Sequence, residues 1–315
     1  MKRPGNLAEP AAGCEQHYRP AGARSPATTN FGKTSVVGRN LARMLPAARS
    51  TEAAWGMLRS LSAGHARLLS APRPGCPGLC IVCRGPARAG CSRCYQCELH
   101  AESAPGGLAD LVVPVAYAPK GGPHASNLWL YKSGRQGADA ASAALRLLLL
   151  AFLHDHGPCL WRRCGLRGPT HLAVVPSGRG RGGTHPLRAL IAPYLAARWA
   201  GLSARPGAAA ARELDPGRFD APRQRGASIL LLDDTWTSGA SAQSAAMTLL
   251  RAGTGCVIVV VLGRHLAVPV PAGAGPDSFA MPLRPQLCAV HDGALRAPAA
   301  RATAPAAAAS PAAGT

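Results

Sequence analysis

Three short runs of the chain, 171–176 (HLAVVP), 227–232 (ASILLL) and 256–262 (CVIVVVL), are apolar at nearly every position instead of every second one. Unbroken aliphatic runs of this length fit strands covered on both faces, as in a parallel sheet between helix layers. Around them the spacing turns helical. Residues 138–155 carry a dense apolar stretch, 187–200 (LRALIAPYLAARWA) an amphipathic one with a proline near its middle, and 240–252 a third. A further strand is predicted over 111–117 (LVVPVAY) and a short helix over 124–132 (HASNLWLYK). Strand and helix alternate, so the expected fold class is α/β: a parallel sheet flanked by helices, with right-handed crossovers.

The pattern fades at both ends. Residues 1–75 scatter Pro, Gly, Ser and Arg with little periodicity, and 266–315 form a Pro/Ala-rich tail. Such composition offers too little apolar surface to offset the entropy of ordering, so both segments are expected to lack a packed core. A possible helix over 52–70 is the exception, with Trp55, Leu58, Leu61, Leu68 and Leu69 at helical spacing. What remains is a cysteine-rich module at 76–100 and a main domain at 101–265. The formal charge is +20, of which +8 belongs to residues 1–75. That distribution favours a solvated basic surface or a phosphorylated small ligand over a dedicated nucleic-acid groove. Aromatic residues are 4% of the chain, which leaves little for a base-stacking surface. The most apolar helical stretch, 140–153, is too short for a membrane span and contains Arg146, so no membrane partner is expected.

The run 227–232 leads into chemistry. Residues 229–241 read ILLLDDTWTSGAS: aliphatics, then Asp233 and Asp234, then Thr237, Ser238, Gly239, Ala240 and Ser241 opening a helix. Ligands of open parallel sheets bind at the carboxyl ends of the strands, where the two acids fall. A helix N-terminus offers unpaired N–H groups and the positive end of a dipole, so the hydroxylated loop suits a phosphate. It is not a Walker loop, lacking G-x-x-x-x-G-K-[ST]. Carboxylates would repel a bare phosphate but not a phosphate carried on a polyol, whose hydroxyls they can accept from, or a Mg²⁺ ion. The plainer reading is a strand end followed by an Asp or Thr helix cap, which accounts for one acid and one hydroxyl.

A second polar loop, 177–185 (SGRGRGGTH), follows the run 171–176. Ser177, its glycines, and Arg179 with Arg181 suit another anionic group, and Lys132 and Arg188 are weaker candidates for the same role. His185 reads as a loop residue rather than a base.

Five of the eleven cysteines crowd into 80–97 (CIVCRGPARAGCSRCYQC). Two C-x-x-C pairs supply the four thiolates of a tetrahedral zinc site, and such crowding points to metal in a reducing, cytoplasmic compartment. Cys80 and Cys83 with Cys94 and Cys97 is the preferred set. Cys91/Cys94 is the competing second pair, and Cys76 lies close enough to substitute. Four sulfurs leave no open position, so the site is expected to be structural. Cys14, Cys159, Cys164, Cys256 and Cys288 read as ordinary thiols, and a Cys288/His291 metal pair is improbable.

ILLLDDTWTSGAS resembles the signature with which type I phosphoribosyltransferases bind 5-phosphoribosyl-1-pyrophosphate (PRPP). The resemblance implies that Asp233 and Asp234 hold the ribose hydroxyls with Mg²⁺, and that Thr237–Ser241 take the 5′-phosphate. Trp236 stands where that signature has an aliphatic residue. A four-cysteine knuckle ahead of such a core is similar to the competence protein F family, the likeness running over about 76–265, and the pattern is closer to its actinobacterial members. LWLYKSGRQ (128–136) resembles that family's Leu-Lys-Tyr-x-Gly segment with Tyr131 and Lys132 in inverted order. VVPSGRGRGGTHPLRAL (174–190) matches loosely: Pro176 is kept and the Phe-Asn-Gln part is absent. By this resemblance the loop at Ser177, Arg179 and Arg181 would meet the pyrophosphate. The chain would be a phosphoribosyltransferase of unknown acceptor. The alternatives are a non-catalytic PRPP or nucleotide sensor, or a protein handling single-stranded DNA.

Overall fold

The computed structural model describes residues 69–73, 76–177, 184–195, 197–207, 212–267, 280–283 and 290. Along the chain come β1 (Ser70–Pro72), α1 (Tyr95–Ser103), β2 (Leu111–Pro119), α2 (Pro123–Leu130), α3 (Ala138–Arg163) and β3 (His171–Val174). Then follow α4 (Pro186–Ile191), β4 (Arg198–Trp199), β5 (Ser203–Ala204), a 3-10 turn (Pro216–Arg218) and β6 (Phe219–Asp220). The last are β7 (Ser228–Trp236), α5 (Ala240–Arg251), β8 (Cys256–Leu266) and β9 (Ala280–Pro282).

Alternation inside the aliphatic runs divides the core. Leu230 and Leu232 of β7 face one layer with Ile258, Val260 and Leu262 of β8 and Leu172 and Val174 of β3. Ile229 and Leu231 face the other, with Val257, Val259 and Val261. Strands buried on both faces need this unbroken apolar sequence. The five strands are all parallel, in the order β2–β8–β7–β3–β4. Helices α2, α3 and α4 bury Leu128, Leu145, Leu149 and Leu187 against the first face. Helix α5 covers the second with Ala242, Ala245, Ala246 and Leu249, beside the cysteine module. The expected α/β class with a helix-flanked parallel sheet is therefore present.

This topology places a crevice. From β3 the chain passes through α4 to the edge strand β4, whereas from β7 it passes through α5 on the other face to β8. Crossovers leaving adjacent strands in opposite directions open a cleft at their carboxyl ends. Strand β7 also outruns β3. Val174 pairs with Leu232, and beyond it Asp233, Thr235 and Trp236 pair only with β8.

Several elements differ from the periodicity. The helix expected over 138–155 continues to Arg163, through Pro158, because the buried stripe Leu145, Leu149, Leu153, His156 and Leu160 continues too. The helix expected over 187–200 ends at Ile191. Pro193 has no N–H for the next helical bond and its ring clashes with the preceding turn, so the chain closes with Tyr194 N donating to Ile191 O at 2.9 Å and then forms β4. The strand expected over 227–232 runs on to Trp236 because β8 stays beside it, so the aspartates lie within the strand rather than after it. Segments assigned to the leader and the tail meet: β1 pairs antiparallel with β9. Of the possible helix over 52–70, Leu69 and Ser70 are described, Ser70 as the first residue of β1, and 52–68 lie outside the described residues. Among the described residues no helix is long and apolar enough to cross a membrane.

Candidate functional site

The cysteine module forms on a tight turn and a helix start. Cys80 O accepts from Arg84 N at 3.0 Å and Cys80 N donates to Gly85 O at 2.8 Å, which brings Cys83 back beneath Cys80. Cys94 is the N-cap of α1 and Cys97 lies in its first turn. The sulfurs of Cys80, Cys83, Cys94 and Cys97 all lie within 4.8 Å of one another, while Cys91 is exposed and outside the group. Such a group can hold a metal ion, and a structural one such as zinc suits four thiol donors. Hydrogen bonds from Cys83, Cys94 and Cys97 pull the Cys80 thiol well down, and contact with Cys80 first of all pushes Cys97 up. Cys164 and Cys256, read as ordinary thiols, shift one another: the neighbouring Cys256 pulls the Cys164 thiol down, and Cys164 pushes that of Cys256 up. Cys14, Cys288 and His291 lie outside the described residues.

The acid pair lies toward the carboxyl end of β7. Alternation turns Asp234 toward the α2–α3 face and Asp233 toward the α5 face. The turn after α2 presents Tyr131 and Lys132 to Asp234: Lys132 Nζ donates to Asp234 Oδ2 at 2.8 Å, and the Tyr131 hydroxyl donates to the same oxygen. Burial pushes the Asp234 carboxyl up, but the Lys132 charge and the hydrogen bonds from Lys132, Tyr131 and Thr235 outweigh it and hold the group below the usual carboxylate range. Among the described residues Asp233 has no such ion-pair partner. Its Oδ1 accepts from Asp234 N at 2.9 Å, and burial, with the Asp234 charge beside it, pushes its carboxyl up to about 8.

That difference has a thermodynamic consequence. The folded Asp233 carboxyl keeps its proton to about pH 8, whereas an unfolded one releases it near pH 4, so folding takes up a proton between these values. The stability is full below the lower value and is lost as pH rises through the upper one. Asp233→Asn is expected to be more stable than wild type at pH 7.5 by about 1–2 kcal/mol, after allowance for solvent around a half-buried carboxyl, and to gain little at pH 4. Thermal melts at the two pH values check this. A variant melting below wild type at pH 7.5 would contradict the environment assigned to Asp233.

The loop Thr237–Ser241 leads into α5. Gly239 is the N-cap at φ 85° and, having no side chain, leaves the helix end uncapped, while Ser238 Oγ accepts from Ala240 N at 3.3 Å. The first-turn N–H groups of a helix have no intrahelical acceptor and carry partial positive charge, so this end can receive an anion. Trp236 explains its own presence. It is 1% exposed, and a Cβ at Gly239 would fall 2.1 Å from its ring, so the indole lies directly beneath the loop. Gly239→Ala is expected to cost about 2–4 kcal/mol, from left-handed strain plus overpacking, read as a lowered urea midpoint. An unchanged midpoint would contradict the packing of Trp236 under the loop.

Arg264, which the sequence reading passed over, joins module and loop. Its Nη1 donates to Trp236 O and Thr237 O, both at 3.2 Å, and to His265 O. A Cβ at Gly85 would lie 2.5 Å from its Nη2, so the guanidinium lies flat on the cysteine turn. Arg264 lies near the carboxyl end of β8 as the aspartates lie near that of β7, and the same carboxyl-end rule applied to β8 would have found it.

Of the weaker candidates, Ser177 sits just past β3 and is half-buried, and Arg179 and Arg181 lie outside the described residues. Lys132 is bound to Asp234, Arg188 stacks on Trp199 at 4.8 Å, and His185 caps α4 by accepting from Leu187 N at 3.2 Å. Set beside known proteins, the chain matches no family model, no curated protein and no solved structure.

Proposed function

We propose that the carboxyl edge of β7 binds PRPP with Mg²⁺ and that the protein transfers the phosphoribosyl group to an acceptor, releasing pyrophosphate. One observation carries the reading: two acids of unlike protonation, Asp233 and Asp234, sit six and five residues before Gly239, the N-cap of α5, at the crevice where the crossovers diverge. Ribose hydroxyls suit the acids, and the 5′-phosphate suits the loop Thr237–Ser241. The helix-flanked parallel sheet suits a phosphoribosyltransferase fold. Asp234, ionised and oriented by Lys132 and Tyr131, accepts hydrogen bonds from hydroxyls. Asp233 offers a proton that a cation would displace.

In the reaction the bond from ribose C1 to pyrophosphate oxygen breaks with its electron pair leaving on pyrophosphate. The acceptor's lone pair forms the new bond at C1, and its proton passes to solvent. Mg²⁺ would supply charge neutralisation for the leaving group. The chain contributes positioning and fixed charge, and Ser177, just past β3, would meet the leaving pyrophosphate. The four cysteines take no part in this chemistry, since four sulfurs complete a tetrahedral metal and leave no position for substrate.

Pyrophosphate release from PRPP, measured across a panel of bases, ammonia and amines, tests the transfer. Release with one acceptor class supports it. Tight binding without release from any acceptor would replace transfer by sensing.

A further inference from the structure

Arg218 ends the 3-10 turn and is 4% exposed. A guanidinium stays charged at every accessible pH, so burying one is costly unless acceptors or an anion meet it. What meets it here is meagre. Nη1 reaches Ser241 Oγ at 3.5 Å, the guanidinium stacks on the Phe219 ring at 5.2 Å, and Nε has no partner. The neighbouring acids are otherwise engaged: Asp215 Oδ1 accepts from Gly217 N at 2.9 Å, and Asp220 pairs with Arg205 at 2.8 Å. Among the described residues no carboxylate lies within 4.0 Å of Arg218.

Its position is nonetheless firmly set. Asp215 N donates to Ser244 Oγ at 2.8 Å and Thr248 Oγ1 donates to Pro216 O at 2.9 Å. Ser241, Ser244 and Thr248 are spaced by three and four residues and form one stripe of α5. The stripe straps the turn along the helix and delivers Arg218 to its first turn. There the guanidinium joins a helix end that is itself positive. Two positive features held together in a buried place oppose one another, and an anion between them satisfies both.

We propose that Arg218 is a second anchor, with the α5 N-terminus, for a terminal phosphomonoester. The guanidinium fork matches phosphate oxygens, and Ser241 lies between the two donors. A terminal dianion enters such a buried corner with its free oxygens facing nitrogen donors. An internal phosphodiester would have to lead two bridging oxygens back out. The inference rests on the ribose-phosphate reading only for the sugar that carries the phosphate.

The test uses the full chain and three probes: inorganic phosphate, PRPP with Mg²⁺, and the melting temperature without ligand. Arg218→Gln is expected to weaken both ligands about tenfold or more, the scale of one charge-assisted hydrogen bond, with Arg218→Lys intermediate. Arg218→Met is expected to raise the ligand-free melting temperature while losing the rise that phosphate gives wild type. A merely structural arginine would do the reverse, so a lowered ligand-free melting temperature overturns the proposal. PRPP binding equally to wild type and Arg218→Gln would overturn it and leave the PRPP reading standing. Arg218-dependent phosphate binding with PRPP no tighter than phosphate would support this anchor and remove the ribose. Wild type binding neither ligand would end both.

Discussion

Loss of the metal is expected to disorganise the cysteine module and weaken ligand binding at a loop that contains none of its cysteines. Cys80, Cys83 and Cys97 are buried in the same core layer as Trp236 and α5, so the module is a wall of the sheet rather than an appendage. Structural zinc contributes on the order of 10 kcal/mol in small metal-folded domains, and a module of two turns has little else to hold it. Cys83→Ser is expected to leave well under one zinc per chain by elemental analysis and to lower the melting temperature, as is chelation of wild type. Arg264 carries the effect onward. With the cysteine turn displaced, its guanidinium loses the surface of Gly85 and its hold on the Trp236 and Thr237 carbonyls relaxes. Affinity for PRPP should then fall by about tenfold, the result of one or two weakened hydrogen bonds that position the loop. Wild type purified without metal, yet folded and binding fully, would contradict this coupling.

The second large effect comes from the acids. Asp233→Asn/Asp234→Asn is expected to weaken PRPP binding by about 100-fold or more, since in the proposed complex each carboxylate would accept from the ligand at a strength of about 1.5–3 kcal/mol. Stability should move little, because the two changes oppose each other. Asn at 233 removes a carboxyl that folding forces toward its neutral form, whereas Asn at 234 leaves Lys132 without its counter-charge. Binding lost without loss of fold is the pattern of a ligand site. A double variant that unfolds would instead make the pair a structural device, and one that binds as wild type would remove the acids from the site.

Much of the sheet was legible because it is written locally. Aliphatic runs need both faces covered, and that alone placed β3, β7 and β8. The acid pair was legible because a carboxyl-end position and a following hydroxylated loop are adjacent in sequence. What stayed hidden depends on distant partners. Lys132 lies 102 positions from the carboxylate it pairs with, so nothing in the local sequence links the two. Arg218 sits in an unremarkable PGRF segment, and only the stripe Ser241, Ser244 and Thr248 reveals where it points. The break at Pro193 was visible as a residue, but the amphipathic spacing continued past it and masked the change of direction. The choice between Cys91/Cys94 and Cys94/Cys97 likewise needed the fold, since both pairs have metal-binding spacing.

Calorimetric titration of the wild-type chain with PRPP, with and without Mg²⁺, reaches the central claim most directly. Saturable binding of one PRPP per chain is expected, strengthening with Mg²⁺ and as pH rises through about 8, where Asp233 gives up its proton. Absence of binding in the presence of Mg²⁺ would contradict it.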